Sequence, residues 1–212
     1  MQLTLEQWLA QPDVLLVVDT IQPPSGPMPK GQSATLKPKE LGLFLAITGA
    51  GKVYAFNGHV DLGTGIRTSL AQIVAEELYL QLDQVEMVLG DTERAPNQGA
   101  TIASATIQIS AVPLRNAAAE ARRHLLQLAS ERWQTPGEQL TLEDGVFSHP
   151  DGRQLAFGEL ITGQHVRLQI SGEAPLKPAS EYRLVGQGAA RVDIPAKACL
   201  LYTSDAADER SS

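Results

Sequence analysis

The sequence predicts an α+β fold in which a mixed sheet with hairpins packs against two main helices. Three observations carry that expectation. Residues 43–48 and 52–57 are strand-like runs on either side of Gly49-Ala50-Gly51, the pattern of a β-hairpin. Ile66, Leu70, Ile73, Val74 and Leu78 recur at the i, i+3, i+4 spacing of one helical face, and Leu114, Ala118, Ala121, Leu125, Leu128 and Ala129 do so again in a longer run ending near Trp133. Residues 145–148 and 154–157, around Asp151-Gly152, read as a second hairpin.

Composition narrows the class. The 212 residues are 43% hydrophobic and 19% charged, so the chain is globular and long enough for a sizeable core. A net charge of −7 argues against nucleic acid or an anionic membrane surface as the main partner. No apolar run approaches the ~20 residues of a membrane span. The first residues carry Glu6 and Asp13 without a basic region, unlike a secretory signal, and a cytoplasmic location is expected. Cys199 has no partner for a disulfide or a thiolate metal site, and His59, His124, His149 and His165 lack metal-ligand spacing.

Taken in order, the chain opens with a short helix over residues 3–9, with Thr4 as a candidate cap. Residues 14–18 form an apolar run expected to be a strand. Residues 22–40 hold Pro23, Pro24, Pro27, Pro29 and Pro38, the texture of a loop or an extended arm. Gly49-Ala50-Gly51-Lys52 invites a phosphate-loop reading, but Ala46 stands where its first glycine belongs and Val53 where a magnesium-binding hydroxyl belongs, so a hairpin turn is expected.

The chain is organised around residues 58–68. A strand runs in, a helix from Ile66 to Leu78 runs out, and Gly63-Thr64-Gly65 lies between. Such a turn lets the backbone approach another molecule, and the helix start aims N–H groups and a positive dipole end at an anion such as a phosphate. On the glycines alone, a tight turn with no ligand is the plainer reading. Arg67, Glu76 and Glu77 lie off the apolar face and are expected in solvent. Residues 85–89 read as a strand ended by Gly90-Asp91-Thr92. After Pro96-Asn97-Gln98-Gly99 comes Ala100-Thr101-Ile102-Ala103-Ser104-Ala105-Thr106, whose small and hydroxyl side chains leave room and donors for a ligand, or simply start a helix with Ser104 or Thr106 as cap. Beyond the second hairpin, Gly158-Glu159-Leu160 begins a short helix, residues 171–198 are extended, and Tyr182-Arg183-Leu184-Val185-Gly186 is expected to be one more strand.

These motifs together resemble the molybdopterin-binding large subunit of the xanthine dehydrogenase and aldehyde oxidase family. The branch with isoquinoline 1-oxidoreductase and nicotinate dehydrogenase large subunits is the most similar. The resemblance rests on the glycine turn before an alanine-bearing helix, Gly90-Asp91-Thr92, and the Pro96-Asn97-Gln98-Gly99 loop leading to Ser104. It extends through Asp144-Gly145-Val146, Gly158-Glu159-Leu160, Pro175-Leu176-Lys177-Pro178 and Val192-Asp193-Ile194-Pro195-Ala196-Lys197, covering about residues 41–198. It implies a molybdenum cofactor-binding fold and a molybdopterin cofactor with molybdenum, in its cytosine dinucleotide form. The pterin's own dithiolene holds the metal, so no Cys or His ligand is required. By position, Leu62, Gly63, Thr64 and Gly65 would lie on one side of the cofactor and Ala103, Ser104, Ala105 and Thr106 on the other. Many members carry glutamine where this chain has Thr64, whose shorter side chain reaches less far.

The resemblance also implies oxidation of an N-heterocycle or aldehyde, with electrons leaving through a small partner that carries [2Fe–2S] centres. The base in such enzymes is a glutamate far downstream. No residue here corresponds to it, so no catalytic or metal-ligating residue is assigned, and the chain alone is expected to be inactive. The expected domains are an N-terminal arm over 1–40, a molybdopterin-binding segment over 41–139, and a hairpin with an extended connection over 140–198, leading to a hammerhead-like domain. Residues 199–209 resemble translated sequencing adapter, and 199–212 are expected to be foreign to the natural chain. The contrasting expectation is a non-catalytic α+β module that binds a phosphate ligand or a protein partner.

Overall fold

The computed structural model describes residues 3–21, 40–191 and 193–195. A five-stranded mixed sheet forms the centre. Its strands are β1 (Val14–Ile21), β2 (Glu40–Thr48), β3 (Val53–Asn57), β4 (Val85–Leu89) and, beyond a small hairpin layer, β8 (His165–Gln169), in the order β4-β3-β2-β1-β8. β2 runs antiparallel to both β1 and β3, while β4 and β8 are parallel to β3 and β1. The small layer is the antiparallel sheet of β5 (Thr141–Glu143), β6 (Val146–Ser148) and β7 (Gln154–Ala156). The expected α+β class, the first hairpin at Gly49-Ala50-Gly51 and the second hairpin are therefore all present.

Successive side chains of a strand point to opposite faces, and β1 is apolar on both. Leu15 and Val17 join a core with the two main helices, α2 (Ile66–Leu78) and α3 (Ala111–Trp133), and with α4 (Phe157–Ile161). Val14, Leu16 and Val18 join Leu43, Ala46, Phe56 and Val88 on the other face, which Trp8 of α1 (Leu5–Leu9) covers. Burial on both faces is why β1 reads as an unbroken apolar run. Thr4 caps α1 as expected, its hydroxyl accepting from Gln7 N. Ala117, Ala118, Ala121, Leu125 and Ala129 of α3 are all fully buried, the small ones allowing close approach to α2 and the sheet. A π-helical turn, Thr106–Ser110, precedes α3. Pro113, which has no N–H to donate, lies in the first turn of α3, where such a residue is tolerated.

Two expectations need correction. Glu76 and Glu77 are buried, at 2% and 1% exposure, rather than solvated. Glu76 forms an ion pair with Lys177 Nζ at 2.6 Å and accepts backbone N–H bonds from Arg183, Leu184 and Val185. Glu77 accepts from Arg115 Nε, Arg122 Nη1 and Lys177 N. Both carboxylates are thus held by segments far away in sequence. Residues 182–186 are correspondingly not a strand. Their N–H groups at 183, 184 and 185 serve the Glu76 carboxylate instead of a ladder, and a 3-10 turn, Ala179–Glu181, precedes them. Arg67 is half-buried and donates to the Met87 carbonyl. Glu120 of α3, also buried, accepts from Ser171 N and Oγ, so three acids of α2 and α3 bind residues 171–185 across the helices. Of the loop or arm expected over 22–40, residues 22–39 lie outside the described residues and Glu40 begins β2, and the segment 196–212 lies outside them too.

Candidate functional site

β3 ends at Asn57 and delivers the chain to the glycine turn, the start of a hydrogen-bonded chain that ties the turn to later segments. Asn57 Nδ2 donates to the Ser110 carbonyl at 3.0 Å, and Gln98 Nε2 donates to the same oxygen at 2.9 Å. Gln98 Oε1 in turn accepts from Gly58 N at 2.9 Å. Gly58 packs so tightly that a β-carbon there would stand 2.1 Å from the Pro96 carbonyl oxygen. The side chain of His59, only 3% exposed, places Nδ1 2.7 Å from Thr106 Oγ1. Val60 N donates to Thr101 Oγ1 at 2.9 Å. The end of β3 and the residues that lead into the turn, the Pro96-Asn97-Gln98-Gly99 loop and the segment before α3 are therefore one assembly, and of the residues singled out from sequence these bonds engage Thr106 directly.

Within the turn, Gly63 and Gly65 take the left-handed φ values +96° and +79°. Both need a residue without a β-carbon. Asp61 shapes the loop: Oδ1 accepts from Gly63 N at 3.0 Å and Gly65 N at 3.1 Å, and Oδ2 accepts from Arg67 N at 3.1 Å. Burial pushes the Asp61 carboxyl up, but the N–H groups of Arg67, Gly65 and Gly63 outweigh it and hold the group below the ordinary carboxylate range. The sequence suggested that the N–H groups at the start of α2 would be offered to an external anion. Two of them, those of Gly65 and Arg67, go to Asp61 instead, together with the N–H of Gly63 in the turn before them.

Leu62 is 71% exposed, and Gly63 and Thr64 are exposed beside it. No atom lies within 4 Å of where a Gly63 β-carbon would be, so its backbone faces open space. Gly65 is buried, with Arg191 Nε 3.2 Å from its would-be β-carbon. Ala103 and Ser104 are exposed and hold consecutive φ values of +53° and +55°. Such conformations cost non-glycine residues roughly 1–2 kcal/mol each and concentrate where a ligand is held. Ala105 is half-buried. Thr106 is buried and its hydroxyl is engaged by His59, so it ties the two segments together from within. Neither Ser104 nor Thr106 caps a helix: Ala105 precedes the π-helical turn without a side-chain cap bond. Ile102, Ile107 and Ile109, in and beside the same segment, are exposed apolar side chains. A cavity of about 660 Å³ behind the turn, lined by Gly42, Gly58, Asp91, Arg94, Pro96 and Gln98 among others, did not figure in the sequence reading.

An open left-handed glycine, strained Ala103 and Ser104, and an apolar margin suit a flat, partly polar heterocycle approached mainly by backbone groups. Among the described residues, no group of three His, Cys, Asp or Glu could hold a metal ion. Asp61, His59 and Asn57 were missed as site residues. An Asp two positions before a glycine that leads into a helix is a readable signal of a side-chain-closed turn. The His59–Thr106 contact joins residues too far apart for any local signal.

Comparison with known proteins places the chain in a family. The family model for the molybdopterin cofactor-binding domain matches residues 24–200. The chain is 63% identical over 202 residues to a nicotinate dehydrogenase subunit of Pseudomonas putida, covering 94% of this chain and 17% of that protein. It is 31% identical over 179 residues to the beta subunit of isoquinoline 1-oxidoreductase of Brevundimonas diminuta, covering 65% of this chain and 23% of that one. Among solved structures, quinoline 2-oxidoreductase from Pseudomonas putida 86 aligns with a TM-score of 0.47 at 28% identity, over 54% of this chain and 15% of that one. The chain therefore spans about a fifth of the length of these curated relatives. With a match over most of its length and a close relative covering nearly all of it, the chain belongs to the molybdopterin cofactor-binding domain family.

Proposed function

We propose that the chain is the N-terminal part of the large subunit of a molybdenum hydroxylase that oxidises a pyridine-type N-heterocycle such as nicotinate. The observation that carries the proposal is the 63% identity to the nicotinate dehydrogenase relative along nearly the whole chain. The same reading takes the cofactor in its cytosine dinucleotide form, a small [2Fe–2S] subunit as electron-accepting partner, and the cytoplasm as the compartment. Along the sequence it reads an arm over 1–40, a cofactor segment over 41–139 and a connection over 140–198 toward a hammerhead-like domain, with 199–212 foreign, while β1 of the first and β8 of the third complete the one central sheet.

When bound, the cofactor supplies two-electron oxidation of an electron-poor ring carbon. The chain's own residues bind and orient. Leu62, Gly63, Thr64 and Gly65 would present the turn's backbone to one side of the pterin, and Ala103, Ser104, Ala105 and Thr106 would present theirs to the other, with Ser104 Oγ available as a donor. Exposed Leu62 and Ile102 would exclude water from the margin. The catalytic base would come from a glutamate outside this chain, which alone would turn over no substrate.

The test is to express the complete subunit with its small partner, measure molybdenum by elemental analysis, identify the nucleotide released on denaturation, and assay hydroxylation of nicotinate. Stoichiometric molybdenum, released cytidine nucleotide and nicotinate-dependent reduction of an acceptor are the expected results. A folded subunit without molybdenum or pterin would overturn the proposal.

A further inference from the structure

Two left-handed glycines do not choose their own conformation, because glycine has the widest choice of any residue. In this turn the choice is made by Asp61, whose carboxylate gathers the N–H groups of Gly63, Gly65 and Arg67 at 3.0, 3.1 and 3.1 Å. Gly65 is the residue before α2 and Arg67 its second, so these are donors that an external phosphate would use at a helix start. A second anion brought to the same place would meet the Asp61 charge. From the other side, Arg191 lies against Gly65, and its guanidinium is engaged by Asp193 Oδ1 and Oδ2 at 3.0 and 2.7 Å.

We propose that Asp61 is a built-in anion that positions the cofactor-contacting turn. It fills the anion seat at the start of α2, fixes the turn that presents Leu62, Gly63 and Thr64, and directs the charged part of a ligand away from this helix end. Asp61 acts through the backbone it holds and is a positioning residue. The proposal rests on the reading of this turn as a cofactor contact.

The experiment compares wild type, Asp61→Ala, Asp61→Asn and the control Asp151→Ala in the complete subunit. Asp151 likewise caps a turn, accepting from Arg153 N at 3.1 Å and Arg153 Nε at 2.8 Å, but on the second hairpin. Melting of cofactor-free protein is followed with sodium formate, a carboxylate small enough for the vacated seat, against sodium chloride at equal ionic strength. Molybdenum and pterin are measured per folded protein. Formate should raise the melting temperature of Asp61→Ala and leave wild type unchanged. Asp61→Ala should retain about ten-fold less cofactor, as expected for losing hydrogen bonds to a charged acceptor, and regain it when formate is present during loading. Asp61→Asn keeps one acceptor but not the charge, and should lose roughly two- to five-fold. Asp151→Ala should keep full content.

A folded Asp61→Ala with wild-type cofactor content, or one that formate does not stabilise beyond chloride, overturns the proposal. If Asp61→Ala does not fold, undiminished cofactor content in Asp61→Asn overturns it. The formate effect on cofactor-free protein does not depend on the cofactor reading. Wild type without molybdenum would sink that reading and leave the anion seat standing, whereas a loaded, formate-insensitive Asp61→Ala would sink the role of Asp61 alone.

Discussion

Gly58 and Gly63 lack a β-carbon for opposite reasons. At Gly58 the neighbouring backbone leaves no room, with the Pro96 carbonyl oxygen 2.1 Å from the missing atom. At Gly63 the space is open and only the +96° φ excludes other residues. Gly58→Ala should therefore cost roughly 3 kcal/mol or more, because either the Pro96 loop or the end of β3 must move. Gly63→Ala should cost about 1–2 kcal/mol. Melting temperatures of the two variants in the complete subunit check this ordering, and a Gly58→Ala variant as stable as Gly63→Ala would contradict the packing described. The sequence pointed to Gly63 and Gly65 because a strand–glycine–helix pattern is local and visible. It could not rank Gly58, whose constraint comes from a carbonyl in a loop nearly forty residues on. Nor could it show that Asp61 fills the helix start or that His59 spends the Thr106 hydroxyl.

At the level of elements, what was legible was what one segment determines by itself. The bounds of α2 and the end of α3 followed from apolar spacing, and both hairpins followed from their glycines. β8 was not anticipated. Its alternation is short, its outward residues His165, Arg167 and Gln169 are polar, and its partner β1 lies at the other end of the chain. The misreading of Glu76 and Glu77 has the same origin, since the groups that make burial tolerable are Lys177, Arg115, Arg122 and the N–H groups of 183–185. Burial pushes the Glu76 carboxyl up, but Lys177 and those N–H groups outweigh it and hold it below its ordinary value of 4.5. A carboxylate depressed in the folded state stabilises fully above the unfolded value, and that stability is lost as pH falls through the folded value. Glu76→Gln breaks a buried pair and should cost roughly 3–5 kcal/mol at neutral pH. The difference from wild type should shrink as pH falls below 4.5. Urea denaturation at a series of pH values tests this, and a difference that stays constant into acid would contradict it.

On the scale of the whole molecule, the sheet is covered by α2 and α3 on one face and by Trp8 of α1 on the other, yet the surface around the candidate site is not closed. Leu62, Ile102, Ile109 and Val112 are 71%, 63%, 68% and 51% exposed. Exposed large apolar residues in such number favour a contact surface or an aggregation liability. The 212-residue chain expressed alone should bind a hydrophobic dye and self-associate, and Ile102→Ser with Ile109→Ser should raise its soluble yield. Monomeric, cooperative unfolding without dye binding would contradict that expectation. The account's central claim is that the left-handed glycine turn and the strained segment tied beside it hold the molybdopterin. Its most direct test is Gly63→Val in the complete subunit, with molybdenum by elemental analysis and pterin released on denaturation, both per folded protein. The account predicts a folded variant with sharply reduced molybdenum and pterin, because a branched side chain would fill the open space beside the turn and strain its φ. Full retention of both would contradict it.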